Sequence, residues 1–188
     1  MLCVAAGLLA ASVEVRADAP ASAPADAPAG VARETRRIRG WDVPVSRALL
    51  AAEPRATARA LELMDAQLAE IEKVVPAAAV AELRKVPLYV MPEYPGVRPT
   101  AEYHPEAGWL RDHGRDPGMA RAVEFTNVRM FEEDTNRMPN FVLHELAHAY
   151  HHRALPGGFD NAEIKAAYDR AKAAGGYDAV ERWFGNGK

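Results

Sequence analysis

The sequence predicts an α+β domain, in which helical and strand patterns follow one another along the chain. One apolar stripe with spacings of three and four residues runs through residues 54–75, as in an amphipathic helix. A second helical pattern covers residues 139–155 and ends at a Pro-Gly-Gly sequence. Residues 86–91 and 122–128 are rich in Val, Tyr and Phe and are typical of short strands.

Composition narrows the range of partners. The chain has 188 residues, enough for one domain with a tail, and its formal net charge is −3 with an isoelectric point near 6.1. This balance gives no electrostatic reason to expect nucleic acid as a partner. Cys3 is the single cysteine, so no internal disulfide is possible. After residue 15 no apolar run approaches the roughly 20 residues of a membrane span.

The N-terminus has the pattern of an export signal. Residues 2–13 form an apolar run of the length of a signal-peptide core, and residues 15–17 read Val-Arg-Ala, a small-x-Ala cleavage pattern. We therefore predict a signal peptide over residues 1–17 and a secreted, periplasmic or cell-envelope protein. No Lys or Arg precedes the run, and a buried helix is the alternative interpretation.

An Ala/Pro-rich segment follows the signal sequence. Frequent proline and little apolar bulk predict a disordered linker over residues 18–40. The basic cluster at its end, residues 33–39, is interpreted as a solvated lead-in to the domain. The folded domain is predicted over residues 41–188.

The first half of that domain begins with either a short edge strand or an extended entry segment around Val43 and Val45, because Pro44 lies between them. The long helix over residues 54–75 comes next, and Pro76 ends or kinks it. Residues 77–85 resume helical character. A strand is predicted over residues 86–91.

The second half begins with residues 92–118, which are rich in Pro, Gly and His and are predicted to be a loop anchored by Trp109 and Leu110. A strand follows at 122–128, and a polar stretch covers residues 132–137. After the helix over 139–155, Asn161 precedes or caps a last helix over residues 163–174.

The chemistry of the chain is concentrated at His144-Glu145-Leu146-Ala147-His148, which has the form H-E-x-x-H. Histidines four apart on a helix lie on one face, so His144 and His148 can both reach one Zn²⁺ ion. Glu145 is rotated by about 100° from His144 and can act as general base toward a water that zinc activates. The pattern predicts hydrolysis of an amide bond, whereas two surface histidines on an ordinary helix are the alternative.

His151 and His152 extend the same helix, but neither is expected to be a third ligand. His152 lies eight residues after His144, about 12 Å along the axis, and no glycine bends the chain between them. We interpret both residues as the rim of the site.

Three stretches carry a family resemblance: residues 101–131, residues 138–171 and residues 159–183. They resemble exported bacterial zinc metallopeptidases related to the catalytic domain of anthrax lethal factor, on the gluzincin side of the zincins. The resemblance implies a zincin-like domain with a small twisted mixed sheet, an active-site helix and an edge strand for substrate. It implies zinc ligation by His144 and His148 and a general-base role for Glu145.

In that group a glutamate on a later helix completes the zinc site, and a tyrosine that assists at the carbonyl comes shortly before it. The printed sequence has no segment that matches either, so we expect a C-terminally incomplete domain whose third ligand lies beyond Lys188. The in-chain substitute is Glu163, with Asp160 a poorer candidate because it sits at the turn. Glu163 as an ordinary acidic residue in a first helical turn is the alternative.

Two functions remain open from the sequence. The first is an exported zinc-dependent peptidase acting on a peptide or protein substrate, which the presence of Glu145 favours. The second is a zinc-binding interaction or adhesion module without turnover, which the lack of a recognisable third ligand favours. The sequence predicts neither an oligomeric state nor a cleavage preference.

Overall fold

The computed structural model describes residues 31–175. The predicted signal peptide, most of the predicted linker and the segment after residue 175 lie outside the described residues.

Five strands form one mixed sheet in the order β1-β2-β3-β5-β4. Strands β2, β3 and β5 are parallel, whereas β1 and β4 lie antiparallel at the two edges. The strand bounds are Arg33–Ile38 (β1), Trp41–Ser46 (β2), Leu88–Val90 (β3), Ala101–His104 (β4) and Ala122–Phe125 (β5). Together with the helices, this sheet confirms the α+β class.

Seven helices accompany the sheet in residues 31–175, with short 3₁₀ turns at Pro117–Met119 and Gly158–Asp160. Their bounds are Arg47–Ala52 (α1), Pro54–Val74 (α2), Ala77–Leu83 (α3), Ala107–Asp112 (α4), Phe131–Arg137 (α5), Phe141–Ala154 (α6) and Ala162–Ala173 (α7). Among these described helices, none has the length and apolar character needed to cross a membrane.

The main core lies between one face of the sheet and helices α2 and α6. The predicted stripe of α2 is confirmed, because Met64, Leu68 and Ile71 are completely buried. Each such side chain contributes about 1.5–3 kcal/mol to the free energy of folding. The sheet and α6 complete this layer with apolar residues of the same kind: Val43, Val45, Leu88, Val90, Val123, Phe125, Val142, Leu146 and Ala149.

The N-terminal boundary of the domain differs from the prediction. Residues 33–38, assigned to the linker, form β1 and pair with β2 along their whole length. The linker prediction is therefore wrong at this end, because an edge strand with exposed side chains has the same polar composition as a linker. The strands connect through Arg39 and Gly40, both at positive φ. Pro44 consequently lies in an inner strand, and the edge-strand interpretation of this segment is wrong as well.

Two further segments contain short elements that the sequence did not predict. Strand β4 and helix α4 lie within residues 92–118, which were predicted to be a loop, although Leu110 is buried as expected. The polar stretch at 132–137 belongs to α5, of which only Phe131 and Asp134 are buried. The three elements β4, α4 and α5 are short, and tertiary contacts stabilise them rather than a long apolar period.

Candidate metal centre

Helix α6 is fixed at its first turn by polar contacts with α2. The side chain of Asn140 caps the helix by accepting a hydrogen bond from the Leu143 N–H at 3.0 Å, and its Nδ2 donates to the carbonyl of Gln67. Gln67 is itself buried, and its Oε1 accepts from the Val142 N–H at 3.1 Å. The apolar face of α6 then packs on the sheet, which leaves the face with His144, Glu145 and His148 toward the surface.

The imidazole rings of His144 and His148 lie close together, with their centroids 4.8 Å apart. Their Nε2 atoms are 3.2 Å apart, and their rings are nearly perpendicular. Two nitrogens bound to one tetrahedral Zn²⁺ at 2.0–2.1 Å each would be about 3.3–3.4 Å apart. Burial, with a smaller contribution from His144, lowers the pKa of His148 and favours the neutral ring that binds metals. The distance between the two Nε2 atoms therefore fits two ligands of one zinc ion.

Glu145 is held between this pair and the edge of the sheet. Its Oε2 accepts a hydrogen bond from the backbone N–H of Tyr103 in β4, at 2.9 Å. Burial raises the pKa of Glu145 to about 7, the charge of Glu102 acts in the same direction, and the Tyr103 N–H opposes the shift. A carboxyl group with such a pKa can both accept and return a proton near neutral pH.

The backbone of β4 presents a free side to this carboxylate. The carbonyl groups of Thr100 and His104 accept hydrogen bonds from the strand-β5 side, from Thr126 and Arg121. In an antiparallel pair the bonding direction alternates, so the residues between them, Ala101 and Tyr103, direct their backbone groups away from the sheet. The outer edge of β4 thus passes directly by Glu145.

Two cavities open on either side of Glu145 and share Thr100, Ala101 and Glu145 in their walls. The first, which we call the Arg98 cavity, has a volume of about 270 Å³ and continues along Arg98, Pro99, Asn127, Asp134, Arg137, Met138, Phe141 and His144. The second, the Phe159 cavity, has a volume of about 380 Å³ and continues along Glu102, Tyr103, Pro105, His148 and Phe159. Together they make a cleft along β4.

A buried polar network supports β4 from the far side of the sheet. Glu124 of β5 is 1% exposed, and its Oε2 contacts His104 Nε2 at 2.9 Å and Arg115 Nη1 at 3.0 Å. Its Oε1 accepts a hydrogen bond from the Tyr94 hydroxyl at 2.6 Å. Arg115 also donates to Glu102 at 2.8 Å. The side chains on both sides of Tyr103 in β4 are therefore tied to one network.

In the part of the chain that the structure describes, no third ligand lies beside the histidine pair. Within residues 31–175, no group of three or more His, Cys, Asp or Glu side chains is close enough to hold a metal ion. Glu163 is exposed in the first turn of α7, and Asp160 lies in the 3₁₀ turn before it. A ligand beyond Lys188 stays a prediction that falls outside the described residues.

His151 and His152 lie beside the cleft, at the end of α6. His152 Nδ1 is 2.9 Å from the Tyr103 hydroxyl, and its ring stacks on Phe159. The His151 ring meets Phe159 edge-on. These contacts fit the interpretation of both histidines as rim residues.

Sequence reasoning missed Tyr103, Glu124 and Arg98. The first acts through its backbone, which leaves no trace in the residue type. Glu124 alternates with Val123 and Phe125 inside a strand, and a carboxylate at such a position was a signal that could have been read. Arg98 lies in the Pro-rich segment that was predicted to be a loop, and a loop prediction does not indicate which cavity a side chain will line.

No family model, curated protein or solved structure matches this chain. The family resemblance therefore continues to rest on the sequence stretches given above, and the site must be argued from its own geometry.

Proposed function

We propose that this chain is an exported zinc-dependent metallopeptidase of the zincin type, which hydrolyses peptide bonds. One observation carries the proposal: Glu145 is held by the Tyr103 N–H at the junction of the histidine pair, the outer edge of β4 and two cavities. A site that only binds zinc has no use for a general base in that position.

Each residue has a distinct part in the proposed reaction. His144 and His148 would hold the metal through Nε2. When bound, zinc supplies a Lewis acid that polarises a carbonyl and lowers the pKa of a water molecule. Glu145 accepts the proton of the attacking water and delivers it to the departing amine nitrogen. The Tyr103 N–H fixes one carboxylate oxygen, so that the carboxylate keeps a single orientation during both transfers.

The substrate would lie along β4 as an extended peptide. Its backbone would pair with the outward N–H of Ala101 and the outward C=O of Tyr103, in the manner of an added strand. The Ala101 C=O would be shared, because it already accepts a hydrogen bond from the Thr100 hydroxyl at 3.0 Å. Side chains on either side of the cleaved bond would enter the Arg98 and Phe159 cavities. This arrangement supports a peptide or protein substrate, because a small molecule would not need the strand edge.

The decisive test is Glu145→Gln in the full chain. We expect zinc content, measured by native mass spectrometry, to stay unchanged, while hydrolysis of an unstructured protein such as casein falls by about 100-fold or more. Exposed Glu70→Gln on α2 is the matched control and should keep full hydrolysis. Hydrolysis that survives Glu145→Gln would rule out the peptidase mechanism.

The second candidate is a zinc-binding interaction module without turnover. The lack of a third ligand within residues 31–175 favours it. In that case the wild-type chain would bind zinc and hydrolyse none of the substrates, and Glu145→Gln would leave its binding properties intact.

A further inference from the structure

We propose that the Arg98 cavity receives an acidic side chain of the bound peptide, and that Arg98 is the residue that selects it. The inference rests on the proposed function in one respect, since β4 and Glu145 define the line along which the peptide lies. The walls of the two cavities differ in the charged side chains that they contain.

Four charged side chains line the Arg98 cavity. Two of them compensate each other, because Arg137 forms an ion pair with Asp134 one helical turn earlier, and Asp134 also accepts a hydrogen bond from Asn127 Nδ2 at 2.7 Å. Glu145 lies in the wall that both cavities share, so it does not distinguish them.

Arg98 is the fourth charged side chain, and it has no such compensation. It is exposed, and within residues 31–175 no hydrogen bond or ion pair engages its guanidinium group. A guanidinium group at a cavity wall matches a carboxylate in charge and in its forked donor geometry. Within residues 31–175, Arg98 therefore offers its occupant a guanidinium group without a direct partner, in a wall that also carries the acidic Glu145.

Among the described residues, the wall of the Phe159 cavity contains no Arg or Lys side chain. Besides the shared Glu145, its acidic wall residue is Glu102, which already accepts a hydrogen bond from Arg115 at 2.8 Å. Its other walls include the ring of Phe159, which is 47% exposed, and the side chains of Tyr103 and Pro105. An apolar side chain suits this surface. The proposed substrate class is a peptide with an acidic residue on one side of the cleaved bond and an apolar residue on the other.

One polar atom could favour a different occupant. Asn127 is 1% exposed, and its Oδ1 has no hydrogen-bond partner in the part of the chain that the structure describes. An unpartnered acceptor would favour a donor, such as the amide of glutamine. Glutamine is therefore the competitor that the experiment has to include.

The experiment measures peptide binding, which does not require turnover. Fluorescent peptides with a constant apolar residue and Glu, Gln or Lys at one variable position are titrated with the full chain in the presence of Zn²⁺. Binding is followed by fluorescence anisotropy, and cleavage is followed by mass spectrometry in the same samples. The variants are Arg98→Glu and Arg98→Gln, with Arg36→Glu on the far edge strand β1 as the control.

We expect the Glu peptide to bind the wild-type chain about three- to tenfold more tightly than the Lys peptide. Arg98→Gln should abolish this preference, Arg98→Glu should reverse it, and Arg36→Glu should leave it unchanged. Circular dichroism confirms that each variant is folded.

Several results would overturn the inference: no preference among the peptides, a preference that Arg98→Glu leaves unchanged, tightest binding of the Gln peptide, or no binding of any peptide. The proposed function fails separately. An acidic preference that depends on Arg98, without any Glu145-dependent cleavage, would support the substrate class and reject the peptidase mechanism.

Discussion

His144 and His148 are brought together by the helical period alone, and their Nε2 atoms are already at the spacing that a shared zinc ion needs. Little rearrangement is then required on metal binding. If zinc binds this preformed pair more tightly than it binds the unfolded chain, zinc should raise the stability of the fold.

We expect Zn²⁺ at a hundred times its dissociation constant to add about 2.7 kcal/mol to the free energy of unfolding. Thermal unfolding of the full chain with and without zinc measures this shift. His148→Ala should remove most of it, whereas His113→Ala, at the exposed residue that follows α4, should keep it. A zinc-induced shift that is unaffected by His148→Ala would place the metal elsewhere.

At the scale of elements, the position of β4 sets the contact between the Tyr103 N–H and the Glu145 carboxylate. Glu102 and His104 flank Tyr103 in this strand, and both are tied to the network of Glu124 and Arg115 on the far face of the sheet. The network therefore holds the strand whose Tyr103 N–H contacts the Glu145 carboxylate, and we expect Glu124 to act as a positioning residue for that carboxylate.

Glu124→Gln tests this role. Loss of one partner from a buried charged network leaves Arg115 less compensated, and we expect the free energy of unfolding to fall by about 3 kcal/mol. The amide of Tyr103 should exchange its hydrogen faster, which NMR or mass spectrometry can follow at constant temperature. Exposed Glu34→Gln on β1 should change stability by about 0.5 kcal/mol or less. Unaltered exchange at Tyr103 would show that β4 does not depend on Glu124.

The helices and strands around the site differ in how far the sequence predicts them. Helices α2 and α6 could be predicted because apolar residues recur along one face of each. In α2 this stripe, which includes Met64 and Leu68, can be read from the sequence alone. Strand β4 could not be predicted, since its four residues are held by charged partners distant in sequence, including Arg115 and Glu124. The shared face of His144 and His148 could be predicted for the same reason as α6, but the Tyr103 contact and the cavities depend on where β4 lies.

At the scale of the whole molecule, the domain begins earlier than its composition indicates. Strand β1 covers one side of β2, whose Trp41, Val43 and Val45 belong to the buried core. Arg33 also reaches across to Asp116, in an ion pair of 2.6 Å that links β1 to the segment before β5.

Two truncations should therefore behave differently. We expect the chain from residue 31 onward to keep the denaturant stability of the longer protein, whereas the chain from residue 41 onward should be much less stable or aggregate, because the backbone of β2 loses its partner. Urea unfolding followed by tryptophan fluorescence compares them. Equal stability of the two truncated chains would mean that β1 is dispensable.

The two edges of the sheet also differ in their exposure to other chains. An open strand edge is a template on which further strands can add, and β1 is protected by a row of charged side chains. Strand β4 must stay open if a peptide is to pair with it, yet it is only four residues long, and the Glu145 carboxylate already occupies its Tyr103 N–H. The Glu145 carboxylate, which is the proposed general base, thus also blocks this N–H from pairing with a strand of another chain. Its removal should make the protein more prone to form edge-to-edge aggregates.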